Sequence, residues 1–348
     1  MSERSWLILA DGYLEERAAK TAHGVLRYSK DRVAAVLDRA NAGRSVLEVL
    51  PDIGRDAPIV GSLAEGLAFE PTSLLIGVAT PGGWMPTEWR QWVVDAIDAG
   101  LEIVNGLHQF LKDDEEFSRL AEEKGVRLWD VRDPPAGIPL FSGKVLDAPH
   151  KIVLTVGSDC AVGKKTAAIE LALAGEKAGT RTEFVPTGQT GILIAGRGIA
   201  IDRVISDFTS GACEQLVLES DPDSEVLVVE GQGGLWHPAY SGVTLSLLHG
   251  TAPHVLVLCH QAGREAIEEP PFTKLPSLDE MVGTYERLGS INRSTKVACV
   301  TVNTQGLDDG EARRHIEDAE RVTGLPAGDV LRGDAPRLWD AVASALGS

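Results

Sequence analysis

Residues 153–166 form the stretch that most constrains the fold of this chain. An apolar run typical of a β-strand ends at Gly157, small and polar residues follow, and Gly163-Lys164-Lys165-Thr166 leads into an apolar-patterned helix. Glycines let a backbone approach an anion closely, and the N–H groups at a helix N-terminus bind phosphate. The pattern therefore predicts an anion-binding loop. Its ten predicted ligand-binding residues are Gly157, Ser158, Asp159, Cys160, Ala161, Val162, Gly163, Lys164, Lys165 and Thr166.

The loop departs from the common phosphate-binding pattern in two ways. The usual loop has about four residues between its glycines, whereas Gly157 and Gly163 are separated by a longer interval. Lys165 also stands where a Ser or Thr hydroxyl normally binds Mg²⁺. Anion binding is therefore favoured over nucleotide hydrolysis, and the alternative is an ordinary strand–turn–helix connection whose glycines only make the turn.

Strand-like and helix-like segments alternate along all 348 residues, a length that suits two domains. Predicted strands are 6–10, 33–37, 73–79, 101–104, 126–131, 182–185, 225–230, 254–260 and 296–302. Predicted helices are 15–23, 88–99, 117–124, 208–217, 278–288, 310–321 and 337–346. The proline-rich residues 132–139 suggest a linker. The alternation of strands and helices predicts an α/β protein. A Rossmann-like, doubly wound domain (1–145) is expected to precede a P-loop NTPase-like α/β domain (146–348) with a mostly parallel sheet.

Composition excludes several classes of partner. The formal net charge of −18 argues against nucleic acid or an anionic membrane, because both bind basic patches. No segment reaches the ~18 consecutive apolar residues of a membrane span. The cysteines are far apart and lack metal-site spacing, which indicates reduced thiols, and the N-terminus lacks a signal-peptide pattern. We expect a cytoplasmic homo-oligomer that acts on a small molecule.

Glu230 ends an apolar predicted strand and is followed by Gly231-Gln232-Gly233-Gly234. A carboxylate at the end of a strand beside a phosphate loop is where Mg²⁺ or its water shell is normally held. The glycines after it let the backbone pass close to a substrate. Glu230 is therefore a candidate metal ligand if ATP and Mg²⁺ are used. The alternative is a buried or capping acid.

The segment after these glycines contains further candidates. His237 lies in a loop at the same end of the sheet, where it can act as a base or hold a substrate carboxylate, although a lone loop histidine is often merely solvated. Small and polar residues also follow the strand predicted at 182–185. Arg197 lies between two glycines, as an anion clamp would, and the alternative is a solvent-exposed loop arginine. The predicted substrate-binding residues are Thr187, Gln189, Thr190, Arg197, Gln232, Tyr240 and Ser241.

Four separated motifs resemble one family. They are residues 157–166, 187–192, 229–233 and 237–245, and they resemble the D-glutamate N-acetyltransferase-like family, formerly catalogued as a domain of unknown function. The similarity spans nearly the whole chain. Residues 146–348 also resemble dethiobiotin synthetase more remotely, through the loop interval and Asp159. That family has a threonine where this chain has Lys165.

The two resemblances imply different chemistry. The first implies transfer of an acetyl group from acetyl-CoA to the amine of D-glutamate or a related amino acid. The loop would then hold the donor's phosphates, with Lys164 among the catalytic residues and His237 or Glu230 as the base that frees the amine. The second implies an ATP- and Mg²⁺-dependent ligase or kinase that phosphorylates a small carboxylate or carbamate, with Lys164 on the transferred group. A non-catalytic nucleotide-binding switch protein is the third hypothesis.

Overall fold

A computed structural model of the chain describes residues 4–269 and 272–347. It divides into two compact units. The first comprises the chain up to Pro134 together with Gln189–Ala200, and the second comprises Pro135–Gly188 and the chain from Ile201 onward. The sequence places the boundary after residue 145 and assigns one continuous segment to each domain, so the structural division differs in both respects.

Buried contacts explain where the second unit begins. The carboxylate of Glu214, which is 2% exposed, accepts hydrogen bonds from the backbone N–H and the hydroxyl of Ser142 at 2.7 and 2.8 Å and from the N–H of Val145 at 3.1 Å. A Cβ on Gly211 would lie 1.8 Å from the carbonyl oxygen of Pro139. Residues 139–145 are therefore packed into the second unit.

The first unit is built on a six-stranded sheet. Its strands are β1 (Ser5–Leu9), β2 (Arg32–Leu37), β3 (Ile59–Val60), β4 (Ser73–Ile76), β5 (Glu102–Asn105) and β6 (Leu128–Asp130). Its helices include α1 (Lys20–Tyr28), α2 (Val46–Val49), α3 (Leu63–Leu67), α4 (Arg90–Asp98) and α5 (Glu115–Lys124). All pairs are parallel, in the order β3-β2-β1-β4-β5-β6. This is the order of a doubly wound nucleotide-binding fold.

Alternate residues of β1 enter two separate apolar clusters. Trp6 and Ile8 belong to one cluster, and Leu7 and Leu9 belong to the other. Because successive side chains of a strand point to opposite faces, the sheet is covered on both sides. The prediction of a doubly wound, Rossmann-like N-terminal domain is confirmed.

The second unit contains a second six-stranded parallel sheet. Its strands are β7 (Lys151–Gly157), β8 (Thr182–Val185), β9 (Val226–Val229), β10 (Val255–Gln261), β11 (Lys296–Asn303) and β12 (Ala327–Gly328). The remaining helices of the chain are α6 (Lys164–Lys177), α7 (Gln189–Ala195), α8 (Thr209–Leu218), α9 (Ser241–Thr251), α10 (Leu278–Gly289), α11 (Asp309–Thr323) and α12 (Ala335–Gly347). Of these, α7 lies in the first unit. The strand order is β12-β11-β10-β7-β9-β8, and every pair is parallel.

This order places β7 between β10 and β9. The carboxyl ends of parallel neighbours meet at one edge of a sheet, where ligands bind in open α/β folds. The loops that follow β7, β9 and β10 therefore converge, although they are far apart in sequence. The sheet order is what assembles the site.

Several predicted element bounds are wrong. Helix α1 occupies Lys20–Tyr28 rather than 15–23. Residues 189–195 form α7, although their glycine and threonine indicate a loop. Helix α9 was not predicted, because Gly, Ser and Thr favour helices weakly. Burial of apolar residues in these two helices outweighs their weak propensity. In the described parts of the chain, none of the helices combines the length and apolar character that a membrane crossing needs.

Candidate anion-binding site

The loop between β7 and α6 has the backbone that its glycines predict. Gly163 adopts φ +106° immediately before α6, in the left-handed region that favours glycine. A Cβ on Gly157 would lie 2.9 Å from Val162 and 3.0 Å from Nζ of Lys164. Ala161 takes φ +53° without being a glycine. The loop therefore closes tightly on itself at the N-terminus of a 14-residue helix.

Asp159 holds the loop in place. Its side chain is fully buried, and its Oδ1 accepts the N–H of Cys160 at 2.6 Å. Its Oδ2 accepts a guanidinium N–H of Arg264 at 2.6 Å and the N–H of Glu268 at 2.8 Å. The ion pair thus ties the loop after β7 to the loop after β10. Charge-assisted bonds of this length are the stronger class of hydrogen bond.

Lys164 lies inside the loop. It is 6% exposed, and its Nζ donates to the carbonyl oxygen of Asp159 at 2.6 Å. Burial lowers the pKa of this ammonium, and the nearby Cys160, Asp159 and Glu230 act in the opposite direction. An anion that enters the loop would relieve the cost of burying this charge.

Two side chains from outside the loop also contact it. Nδ1 of His260 lies 2.9 Å from the hydroxyl of Ser158. Burial, together with the positive charges of Arg264 and His315, lowers the pKa of His260 to about 4, so the ring is neutral at pH 7. The hydroxyl of Tyr285 donates to the carbonyl oxygen of Gly157 at 2.6 Å. Both groups fix the loop without adding charge.

Glu230 follows β9 and is 6% exposed. Its Oε2 accepts the backbone N–H groups of Thr187 and Gly188 at 3.0 and 3.2 Å. Burial raises the pKa of this carboxyl group, whereas Lys165 and the two amides lower it. Glu230 is therefore a buried acid whose Oε2 accepts two hydrogen bonds and which interacts with the positive charge of Lys165.

Thr187 and Gln232 lie beside Glu230, as expected for residues that share its edge of the sheet. The hydroxyl of Thr187 donates to the carbonyl oxygen of Glu230 at 2.8 Å. The side-chain amide of Gln232 donates to the carbonyl oxygen of Thr187 at 2.6 Å. A Cβ on Gly231 would lie 1.7 Å from the carbonyl oxygen of Thr155 in β7, so the segment after Glu230 runs directly against the loop-bearing strand.

His237 is 5% exposed. Its Nδ1 accepts the N–H of Ala239 at 3.2 Å, and its ring centroid lies 4.4 Å from that of Tyr240. Because Nδ1 accepts a hydrogen bond, the neutral ring carries its proton on Nε2. Tyr240 is half exposed, and the N–H of Ser241 is bonded to the carbonyl oxygen of His237 at 2.9 Å, at the start of α9.

His237 lies against the loop. One ligand atom each from Asp159, Cys160 and His237 lie within 4.8 Å of one another. No sequence spacing indicates this cluster, since His237 comes from the loop after β9. Glu230, the residue predicted to bind a metal, does not belong to this group of potential metal ligands among the described residues.

Three of the predicted substrate-binding residues lie in the first unit. Gln189 and Thr190 begin α7, and Arg197 follows that helix. The hydroxyls of Thr190 and Thr21 are 3.2 Å apart. The structure therefore groups Thr187 and Gln232 with Glu230 in the second unit and assigns the other three to the first.

Sequence reasoning missed Arg264 and Tyr285. Arg264 comes soon after the carboxyl end of β10, and that position was a usable indication. Tyr285 is fully buried within α10, where its pattern matches an ordinary core residue and gives no indication of its contact with the loop.

Fold and site together define a two-unit α/β protein whose second unit carries a P-loop between β7 and α6. Residues 39–134 match the family model described as domain of unknown function DUF1611_N, Rossmann-like domain, and residues 139–339 match that of DUF1611_C, P-loop domain. The chain belongs to the DUF1611 family. The predicted P-loop α/β class of the C-terminal domain is thereby confirmed.

Similar proteins extend the match over the full length. A protein of Tritonibacter scottomollicae named D-glutamate N-acetyltransferase is 36% identical over 99% of this chain and 100% of its own length. A Pseudoalteromonas protein of the same name is 35% identical over 78% of this chain and 81% of its own. The crystal structure of a DUF1611 family protein from Anabaena variabilis superposes with a TM-score of 0.93 at 37% identity, covering 98% of this chain and 100% of that one.

These relatives confirm the family resemblance seen in the motifs. Their names support a general interpretation of the chain as an acetyltransferase.

Proposed function

We propose that this protein transfers an acetyl group from acetyl-CoA to the amine of D-glutamate or a related amino acid. The observation that carries the proposal is the end-to-end similarity to a relative of that name, at 36% identity. The site adds a chemical reason, because a buried carboxylate, an imidazole and a cationic loop converge at one edge of the second sheet.

Glu230 suits the role of general base. Only a neutral amine attacks a thioester, so the acceptor ammonium must first lose a proton. Both amide hydrogen bonds to Glu230 end on Oε2, which leaves Oε1 to accept that proton. Because burial raises its pKa, the carboxylate is a stronger base than an exposed glutamate would be.

His237 suits the role of hydrogen-bond donor. Its Nδ1 is occupied by the N–H of Ala239, and the proton of the neutral ring is therefore on Nε2. That N–H can stabilise an oxyanion or a thiolate. The N–H groups of the first turn of α6 have no acceptor within the helix and provide further donors.

The length of the donor bears on which part of acetyl-CoA we place at the loop. About 13 bonds separate the diphosphate of acetyl-CoA from its sulfur, or roughly 15 Å when extended at the ~1.2 Å per bond of a polypeptide backbone. A ring nitrogen of His237 lies within 4.8 Å of the Cys160 sulfur in the loop. If the diphosphate of an extended donor lay beside Cys160, the thioester would lie too far away for His237 to act on it. We therefore place the reacting end of the donor and the acceptor's carboxylate at the loop.

The test is a thiol-release assay with acetyl-CoA and D-glutamate in the absence of ATP. We expect CoA release that depends on the amino acid and is abolished by Glu230→Gln. That variant keeps an oxygen for the two amide bonds but cannot take a proton. Wild-type protein that releases no CoA with D-glutamate or related amino acids would contradict the proposal.

One observation favours a second candidate function, an ATP- and Mg²⁺-dependent ligase or kinase. Glu230 follows β9, which pairs with the loop-bearing β7, and P-loop enzymes place the acid that holds Mg²⁺ at this position. Lys165 at the usual hydroxyl position opposes it. Release of ADP that requires both Mg²⁺ and the amino acid would establish this alternative. Binding of a nucleotide without turnover would instead indicate the non-catalytic switch.

A further inference from the structure

Cys160 differs from the other cysteines of the chain. Cys213, Cys259 and Cys299 are buried, and burial raises the pKa of each thiol, that of Cys259 to about 11. Cys160 is partly exposed and lies in the loop that leads into α6. Of the four thiols, that of Cys160 is both accessible and located in the loop, whereas burial shields the other three from reactants.

Cys160 lies close to an imidazole, an ammonium and the N-terminus of a helix. A ring nitrogen of His237 lies within 4.8 Å of its sulfur, and the ammonium of Lys164 interacts with it electrostatically. The N-terminus of α6, a 14-residue helix, begins four residues further on. Reactive cysteines are found at helix N-termini and beside cationic or N–H donor groups.

We propose that Cys160 is the catalytic nucleophile, which takes the acetyl group from the thioester before the amine receives it. The inference rests on the proposed acetyl transfer and deepens it. It makes His237 the donor that holds the attacking thiolate, and it makes the loop an oxyanion site for the acetyl carbonyl.

The two steps balance without any further reactant. The Cys160 thiolate attacks the acetyl carbonyl, the carbon–sulfur bond to CoA breaks, and CoA leaves as a thiolate that takes a proton from water. Glu230 takes one proton from the acceptor ammonium and releases it to solvent, and the neutral amine then attacks acetyl-Cys160. The second proton of the amine passes to Glu230, an amide bond forms, and the carbon–sulfur bond to Cys160 breaks, which regenerates the thiolate. Loop N–H groups stabilise the oxyanion in both steps.

The same cluster suits a metal ion less well. Catalytic zinc sites use three protein ligands. The carboxylate of Asp159 already accepts three hydrogen bonds, one of them from the guanidinium of Arg264. That leaves the sulfur and one imidazole as strong ligands. A thiolate–imidazole pair without a third ligand is the arrangement of a nucleophile.

The test is intact-protein mass spectrometry of the full chain after incubation with acetyl-CoA and no acceptor. We expect one added acetyl group, removable by hydroxylamine and located on Cys160 by peptide mapping. The protein should also exchange labelled CoA into acetyl-CoA without any amino acid. Cys160→Ala should abolish both signals and lower kcat/KM for acetyl transfer by more than ~100-fold.

A matched control is Cys213→Ala, which removes a buried thiol far from the loop in sequence and should leave acetyl-enzyme formation unchanged. Dialysis against a chelator should also leave it unchanged, and its loss there would overturn the proposal in favour of a metal ligand role.

The outcomes separate this inference from the proposed function. If wild-type protein acetylates the amino acid while no acetyl-enzyme or exchange is detected and Cys160→Ala retains activity, the nucleophile is refuted and the acetyltransferase stands. If acetyl-CoA is not consumed with or without an acceptor, both fail together.

Discussion

The ion pair between Asp159 and Arg264 gives the sharpest test of how the site is held together. Asp159 is fully buried and Arg264 has a side chain that is 11% exposed, with 2.6 Å between Oδ2 and the guanidinium nitrogen. Asp159→Asn keeps the size of the side chain and removes its charge. One end of the amide then carries N–H groups, so it cannot accept every hydrogen bond that the carboxylate accepts.

The magnitude follows from what remains for Arg264. Removing one partner of a buried pair costs about 3–5 kcal/mol, because the other charge stays buried and unpaired. The carboxylate of Glu268 lies 3.7 Å from the same guanidinium nitrogen but is 44% exposed, and it offsets part of that cost. We expect Asp159→Asn to lower the free energy of unfolding by about 2–4 kcal/mol.

Urea denaturation followed by tryptophan fluorescence measures this change, with Asp318→Asn as the control. Asp318 is also paired with an arginine, Arg321, at 2.7 Å, but the pair is largely exposed and its loss should leave the unfolding free energy within experimental error. A loss below ~1 kcal/mol in Asp159→Asn, or equal losses in the two variants, would show that burial does not strengthen the loop's ion pair.

Three further predictions concern the same site. Burial raises the pKa of Glu230, so the folded state binds the proton more tightly and the free energy of unfolding falls as pH rises from the ordinary glutamate range through the folded pKa. Glu230→Gln should remove this pH dependence in urea titrations, and an unchanged slope would contradict the burial argument. Burial and positive neighbours lower the pKa of His260 from 6.5 to about 4, so acidification between these values should destabilise the fold by up to roughly 3 kcal/mol. His260→Gln should flatten that part of the stability profile, and a profile as steep as that of the wild type would refute this role of His260. A Cβ on Gly231 would lie 1.7 Å from the carbonyl oxygen of Thr155, whereas one on Gly283, within a helix, would meet nothing within 4 Å. Gly231→Ala should therefore give little folded protein, and Gly283→Ala should raise the free energy of unfolding by about 0.5–1 kcal/mol in thermal or urea unfolding. Comparable behaviour of the two variants would be inconsistent with the packing described.

Much of the fold was predictable because its causes are local. The strand ending at Gly157, the loop glycines and the helix from Lys164 follow from apolar runs and from the conformational freedom of glycine. The prediction of strand 182–185 coincides with β8 for the same reason. Helices α7 and α9 were not predicted, because burial of apolar residues in the tertiary structure stabilises them and no local sequence pattern indicates that burial.

What the sequence alone determined is the identity of the chemical groups: a glycine loop with Lys164, an acid after β9 and a histidine beyond it. What the tertiary structure decided is which of these groups meet. Asp159 and Arg264 are 105 positions apart, and Cys160 and His237 are brought together from the loops after β7 and β9. The physical reason is the strand order β10-β7-β9, since the neighbours of a parallel strand are set by long crossover connections and by burial of whole sheet faces. Local propensity and spacing carry no information about that order.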